Sequence, residues 1–259
     1  MTYLRPLAFA LLLLCTPILL AGCADVPKTP AEHAEYVATN DPLEPMNRTI
    51  FDVNDFLDRL LLRPLAELYR VTIPPGLRDR IAGIVSNMKE PVIFANNLLQ
   101  GEFGRAGKTA ERFGMNTTVG VGGMWDVASS WAGIYQQTGD FGQTLAVWDV
   151  GSGPYLVLPL FGPSNFRDAV GLGVDSVMSP WQYVVQASGA GHVIQNEFEI
   201  SSFAGDGIVR REQNIEALDA LRAGSLDFYA QMRSVYRQYR DKQLGDQSTS
   251  GLPKFEDYK

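Results

Sequence analysis

Prolines cut the apolar periodic runs of this chain into lengths that suit short helices. Met46, Ile50, Val53, Leu57 and Leu60 recur at alternating spacings of four and three, with Phe56 and Leu61 widening the stripe. Those spacings place the residues on one face of a helix. Pro64 kinks or ends that helix, because a proline ring removes one backbone donor and clashes with the preceding turn. After Pro74-Pro75 a second run, Leu77, Ile81, Ile84, Val85 and Met88, continues to Pro91, where a third run through Leu98-Leu99 begins. Ala106 to Thr118 reads as another helix, closed by Gly120, Gly122 and Gly123, which take left-handed conformations without steric cost. The pattern predicts an all-α body of short helices, with at most a short strand or two.

The middle of the chain departs from this pattern. Gly151 to Ser164 (GSGPYLVLPLFGPS) is apolar, with glycines and prolines too closely spaced for a long helix. It cannot span a bilayer as a helix, which takes about 20 apolar residues. Three readings stand side by side: a buried irregular core segment, a short buried strand, and a wall or loop inserted at a membrane interface. Tyr155, Leu156, Val157, Leu158, Leu160 and Phe161 are its apolar members. Downstream, Ile208 to Leu244 reads as one long, comparatively basic helical region. Leu226, Tyr229, Met232, Tyr236 and Tyr239 fall on one side, with Arg233, Arg237 and Arg240 nearby. Such a pattern makes a core face with a solvated charged face, or an interfacial helix at anionic headgroups.

The N-terminus is an address. Arg5 precedes an apolar run from Leu7 to Leu20, and Leu20-Ala21-Gly22-Cys23 forms a lipobox. The small residues give a signal peptidase access to the scissile bond, and the Cys23 thiolate attacks a diacylglyceryl donor. Residues 1–22 are read as a removed signal peptide and Cys23 as the lipid-attachment site. Residues 23–40 are then a lipidated tether, 41–244 the helical body, and 245–259 a polar tail. Two or three acyl chains hold a protein durably where one is marginal. Ala24 follows the cysteine, and Asp there would be the usual inner-membrane retention signal of enteric bacteria, so outer-membrane sorting is expected.

Composition closes several functional classes. The net charge is −7, so no electrostatic footprint for nucleic acid is present and none is expected as a partner. The cysteines are Cys15, which leaves with the signal, and Cys23, which becomes a thioether. No thiol is left for disulfide, zinc or catalysis. His33 and His192 are not grouped with carboxylates at ligand spacing, so no metal is expected. Gly101 to Thr109 (GEFGRAGKT) has five residues between its outer glycines where a phosphate loop has four, and it follows a helical run where that motif needs a strand. Gly171-Leu-Gly173 lacks a third glycine, and no serine sits in a Gly-x-Ser-x-Gly elbow. His192 reads as a loop residue beside Gly189 and Gly191. The chain is therefore expected to be no enzyme and to need no cofactor.

A series of motifs carries a family resemblance. Asp41-Pro42-Leu-Glu-Pro-Met-Asn47-Arg48, Asn87-Met-Lys-Glu90-Pro91, Asn96-Asn-Leu-Leu-Gln-Gly101, Arg112-Phe-Gly-Met-Asn116-Thr, Gly120-Val-Gly-Gly-Met-Trp-Asp126-Val-Ala, Phe141-Gly-Gln-Thr-Leu145 and the segment from Gly151 to Asp168, with Gly153-Pro154, occur in that order. Together they resemble the MlaA (VacJ) family of outer-membrane lipoproteins over about half the chain. The resemblance implies a mostly helical, ring-like body with an amphipathic central channel, embedded in the inner leaflet of the outer membrane and facing the periplasm. It implies that misplaced outer-leaflet phospholipids pass through the channel to a soluble periplasmic carrier. That carrier feeds an ATP-driven complex in the inner membrane, and a trimeric porin is a further partner. Phospholipid is then the transported ligand. The alternative function is a structural, porin-associated lipoprotein without transport. Tyr155 to Phe161 with Arg167 and Asp168 become the candidate channel or interface segment. Asp41, Pro42, Asn47, Arg48, Asn96, Arg112, Asn116, Asp126, Gly153 and Pro154 are motif positions of structural or channel role. Arg48, Arg112, Arg167 and Asp168 serve either the channel or buried ion-pair networks. Asp149 stands where the family commonly has Gly, a change that left-handed backbone tolerates.

Overall fold

The computed structural model describes residue 29, residues 39–189 and residues 192–248, the side chains of 192–200 and 246–248 excepted. The signal peptide, Cys23, His33, nearly all of the tether and the tail from residue 249 lie outside the described residues.

Helix α1 spans Glu44–Leu57, with Glu44 in its first turn where a carboxylate complements the helix dipole. A π-helical turn, Asp58–Leu62, leads into α2, Arg63–Thr72. Pro64 sits in the first turn of α2, where its missing N–H has no partner to lose. Pro74 ends the helical path, and Pro75 opens α3, Pro75–Leu99. Pro91 was expected to end a helix, yet α3 runs through it. The reason is tertiary, because α3 packs along α4, Phe103–Thr118, in the most extensive helix pair of the fold. Gly83 permits close approach here, since a Cβ on it would lie 2.3 Å from the Gly123 carbonyl oxygen.

Two short helices follow, α5 (Val127–Ala132) and α6 (Phe141–Val147), each capped by an aspartate. Asp126 accepts from Ser129 N, and Asp140 accepts from Gln143 N. Strands β1 (Tyr155–Leu158) and β2 (Gly162–Asn165) form an antiparallel hairpin, with Tyr155 opposite Asn165 and Val157 opposite Pro163. Helices α7 (Phe166–Met178) and α8 (Pro180–Ala187) complete the middle. The C-terminal region expected as one helix is three: α9 (His192–Gln213), α10 (Ile215–Gly224) and α11 (Phe228–Ser248). Asn214 interrupts the first junction with φ −115° and ψ 16°, and extended Ser225 the second. Leu226 falls in that break, fully exposed, rather than on a face with buried Tyr229. His192 opens α9 rather than lying in a loop.

The helical fold class holds, with one two-stranded hairpin among the described residues. The chain divides into two compact units. Among the described residues, one comprises those up to Leu57 together with Ser152–Phe166; the other comprises Asp58–Gly151 and those from Arg167 on. Among the described residues no helix is long and apolar enough to cross a membrane.

Burial is inverted relative to a water-soluble domain. Asn47, Glu90, Asn96, Asn97, Thr109 and Thr144 are wholly buried. Val71, Phe103 and Trp131 are 85%, 72% and 71% exposed. Along α1 the buried residues are Asn47 and Phe51, while Val53 and Phe56 of the apolar face are exposed and Met46, Ile50 and Leu57 half-buried.

Candidate functional site

In the first unit the site begins with two asparagines. Asn47 and Asn54 lie seven residues apart on α1, so they share a face two turns apart. Asn47 Nδ2 donates to Asp41 Oδ1 (2.7 Å) and to the Tyr155 carbonyl (3.0 Å), and its Oδ1 accepts from Val157 N (2.9 Å). Asn54 Nδ2 donates to the Leu158 carbonyl and its Oδ1 accepts from Leu160 N, each at 2.9 Å. The helix thus supplies side-chain amides to the edge of β1 that faces away from β2. An open strand edge exposes unpaired donors and acceptors, and here amide side chains fill the role of a third strand. Pro163, which has no N–H, stands opposite Val157, whose own N–H is taken by Asn47.

The hairpin carries the segment read from sequence as core, strand or membrane loop. Tyr155 and Val157 are buried and Leu156 and Leu158 half-buried, which is the buried-strand reading. Leu160 and Phe161 at the turn are exposed. Leu160 has φ +68°, a left-handed backbone that costs a leucine roughly 1–2 kcal/mol. The Asn54 hydrogen bond helps hold it there. Gly153, at φ +66°, packs where a Cβ would stand 2.9 Å from Phe166 Cβ, and the Pro154 carbonyl accepts from Phe166 N. Pro42 is half-buried beside buried Asp41. Arg48 pairs with Glu44 one turn away at 2.8 Å on a partly exposed surface.

Two ionic centres of the second unit are built around Arg112 and Arg240. At the first, Arg112 is 5% exposed. Its Nε donates to Glu90 Oε1 (2.8 Å), its Nη2 to Asp126 Oδ2 (2.7 Å) and its Nη1 to the Ile134 carbonyl (2.9 Å). Asn116 donates to Asp126 Oδ1 and accepts from Ala128 N, which fixes the start of α5. The carboxylates diverge. Burial pushes Glu90 above its ordinary pKa despite the Arg112 and Gln136 hydrogen bonds. Burial acts the same way on Asp126, but there bonds from Arg112, Asn116 and Ser129 outweigh it and hold the group below its ordinary value. Glu90 Oε2 has no hydrogen-bond partner.

At the second centre Arg240 reaches from α11 to the cap of α6. Its Nη1 and Nη2 donate to Asp140 at 2.7 and 3.1 Å, and its Nε stands 2.8 Å from Asp168 Oδ2. Tyr236 Oη donates to the same Asp168 oxygen at 2.6 Å, and Arg167 Nε donates to Asp168 Oδ1 at 3.1 Å. Burial would raise Asp140, yet Arg240 and the Gln143 amides bring it below its ordinary value. Close by, Asp175 accepts from Phe141 N and Asn96 Nδ2, while Asn96 Oδ1 accepts from Thr144. Burial pushes Asp175 from 3.8 up to about 6. Backbones meet tightly here: a Cβ on Gly171 would lie 2.4 Å from Gly142 N.

Of the residues singled out from sequence, Asp41, Asn47 and the hairpin come together in one unit, and Arg112, Asn116 and Asp126 in the other. Arg167 and Asp168 join the Arg240 centre. Asn54, Asp140 and Asp175 were not singled out, and Tyr236 and Arg240 were named only as members of the aromatic and basic sides of the C-terminal helical region. Asn54 was findable as a polar residue two turns from Asn47, on the flank of the apolar stripe. Arg240 lies 100 residues from its partner Asp140, and no local signal joins them. Residues 103–109 of the glycine-rich stretch are helical, with Thr109 donating back to the Arg105 carbonyl. No cluster of His, Cys, Asp and Glu suited to a metal occurs among the described residues.

Comparison with known proteins gives a consistent picture. The sequence model of a family described as MlaA lipoprotein matches residues 39–243. The intermembrane phospholipid transport system lipoprotein MlaA of Haemophilus influenzae is 32% identical over 249 residues, 93% of either chain. Its counterpart in Escherichia coli K12 is 31% identical over 226 residues, 86% of this chain and 83% of that one. An uncharacterized protein of Rickettsia bellii is 36% identical over 202 residues, 78% of this chain and 75% of that one. A solved structure, from work on the structural basis for maintenance of bacterial outer membrane lipid asymmetry, matches with a TM-score of 0.66 and 33% identity. The match covers 79% of this chain and 98% of that one.

Proposed function

The chain belongs to the MlaA lipoprotein family, and from that premise we propose that it removes phospholipids mislocalised in the outer leaflet of the outer membrane. It is a transport lipoprotein and not an enzyme, and it maintains outer-membrane lipid asymmetry. In the finer reading, lipid passes through an amphipathic channel of the 41–244 body to a soluble periplasmic carrier, which feeds an ATP-driven complex of the inner membrane. The body sits in the inner leaflet beside a trimeric porin, held additionally by lipid on Cys23 after loss of residues 1–22. The hairpin from Tyr155 to Phe161, Arg167 and Asp168 contribute to the channel or its interface.

The single observation that carries this reading is the inverted burial: wholly buried Asn47, Glu90, Asn96 and Thr144 against exposed Phe56, Leu68, Phe103 and Trp131. In water, such a surface would associate or collapse. In a leaflet, apolar side chains meet acyl tails, and backbone and polar groups are satisfied within the protein. A headgroup crosses an apolar layer only where polar groups replace its water.

The test is deletion of the chain with complementation. Outer-leaflet phospholipid, read with a membrane-impermeant amine reagent, and detergent sensitivity should both rise on deletion and return to normal with the wild type. Unchanged asymmetry in the deletion strain would overturn the transport reading. The porin-associated structural reading predicts instead that a chain obstructed in its body but still binding porin keeps normal asymmetry.

A further inference from the structure

A cavity of about 280 Å3 opens between α2, the first turns of α3 and the end of α9, lined by Tyr69, Arg70, Arg78, Asp79, Glu212 and Gln213. All of these belong to the second unit. We propose that this cavity binds the zwitterionic phosphodiester headgroup of a phospholipid, with the acyl tails lying along the exposed apolar face of α2. The proposal deepens the transport reading and rests on it for the identity of the lipid.

Three features point to this ligand. First, two lining groups are buried and have no hydrogen-bond partner: Tyr69 Oη and Arg78 Nε. An arginine N–H can only donate and a tyrosine hydroxyl donates readily, so the pair asks for an oxygen-rich acceptor. A phosphodiester offers two charged oxygens and takes charge-assisted hydrogen bonds from such donors. Leaving buried donors unpaired is unfavourable, so an acceptor that reaches this pair gains hydrogen bonds.

Second, the charges around it are mixed. Arg78 pairs with Glu212; Arg70 Nε donates to the same Glu212 oxygen at 3.0 Å, and its Nη2 to the Glu212 carbonyl at 2.8 Å. Arg70 also pairs with Glu216. These pairs fix both guanidiniums in place. Counting Asp79, the carboxylates nearby outnumber the guanidiniums. A bare anion is thereby disfavoured. A phosphate that carries its own ammonium, as phosphoethanolamine does, meets donors at one end and carboxylates at the other.

Third, the cavity adjoins lipid-compatible surface on the same helix. Leu65, Leu68 and Val71 are exposed, as is Leu77 beside Arg78. Tyr69 stands one turn after Leu65, so its ring borders the exposed apolar stripe while its hydroxyl reaches inward. A polar cavity bordering an apolar stripe matches the amphipathic outline of a phospholipid.

The experiment uses the full chain in detergent with short-chain ligands: dihexanoyl phosphatidylethanolamine, dihexanoylglycerol and inorganic phosphate. Binding is read by calorimetry. The phosphatidylethanolamine should bind about tenfold or more tighter than the diacylglycerol, the size expected for charge-assisted hydrogen bonds. Inorganic phosphate should compete weakly or not at all. Tyr69→Phe should weaken phosphatidylethanolamine about three- to tenfold and leave diacylglycerol unchanged. That variant removes only an unpartnered hydroxyl, so its melting temperature should not fall. Arg78→Gln should weaken headgroup binding by about tenfold or more, with Arg78→Lys intermediate.

Equal binding of phosphatidylethanolamine and diacylglycerol, or a Tyr69→Phe protein that binds as the wild type, would overturn the proposal. Full competition by inorganic phosphate would also overturn it, by showing a free-anion site. Failure here is separable from failure of the transport reading. If deletion of the chain disturbs lipid asymmetry while Tyr69→Phe binds and complements normally, the site falls and transport stands.

Discussion

The Arg112 and Arg240 centres of the second unit are built from the same chemistry and differ in how much of it is shared. Each places one nearly buried arginine between two carboxylates. At Arg112, Glu90 has no exposure and relies on that guanidinium and on Gln136, with one oxygen unpaired. At Arg240, the carboxylates have other support: Asp140 also holds the Gln143 amides, and Asp168 also holds Tyr236 and Arg167. The lesson is that similar distances do not make equal dependencies. What a buried charge loses when its partner goes is set by what else it can still bond.

Breaking that comparison starts with the arginines. Arg112→Met should cost about 3–5 kcal/mol of unfolding free energy, because it leaves Glu90 buried with a single donor. Arg240→Met should cost less, about 2 kcal/mol, since both of its carboxylates keep hydrogen bonds. Denaturant unfolding of the detergent-solubilised chain measures both, and an equal or reversed order would break the proposed asymmetry. A double change, Arg112→Met with Glu90→Gln, should recover much of the first loss, as the uncompensated charge is then gone.

Asp175, next to the Arg240 centre, gives a smaller and pH-dependent effect. Its folded pKa is raised from 3.8 to about 6, so the folded chain binds this proton more tightly than the unfolded chain. Its contribution to stability is therefore fully present below 3.8 and is lost as pH rises through about 6, an effect that stays below about 3 kcal/mol because the carboxyl is only partly shielded from solvent. Asp175→Asn should flatten the stability curve across that window. A curve unchanged by the substitution would show that Asp175 is not the titrating group. The low end of the scale is set by Arg80, stacked 5.0 Å from the centre of the Trp125 ring without a buried carboxylate. Arg80→Gln should cost about 0.5 kcal/mol, and a much larger loss would show that burial is not what separates it from Arg112.

Legibility in the sequence follows the same division. Arg112, Asn116 and Asp126 fall within fifteen residues and were read together as one motif series, because a helix and the turn that closes it bring them together locally. Glu90 sat in a neighbouring motif, but its unpaired oxygen depends on how α3 packs against α4. The Arg240 centre was half legible. Arg167 and Asp168 were singled out, whereas Arg240 and Tyr236 were read as part of one charged and aromatic face on a single long helix. That helix is broken at Asn214 and again at Ser225. Gly224, which ends α10, and Asp227, whose Oδ1 accepts from Ala230 N in the first turn of α11, were both in the sequence, yet periodicity alone ran through them. Pro91 gives the opposite lesson, since a residue that locally disfavours a helix lies inside one held by its neighbour.

By itself, the sequence determined the helical character, the prolines that open α2 and α3, the aspartates that cap α5 and α6, and the motif series that marks the family. All of these rest on spacings of a few residues, where backbone sterics and capping act. Tertiary structure decided which face of each helix is buried. The spacing of Met46, Ile50, Val53 and Leu57 defines an apolar stripe but does not say whether it meets a core or a solvent. Only the packing of Asn47 and Asn54 against β1, with Phe51 buried on the same face, shows which side turns inward. The physical reason is that periodicity reports the contrast between two faces, while the sign of burial depends on what surrounds the fold.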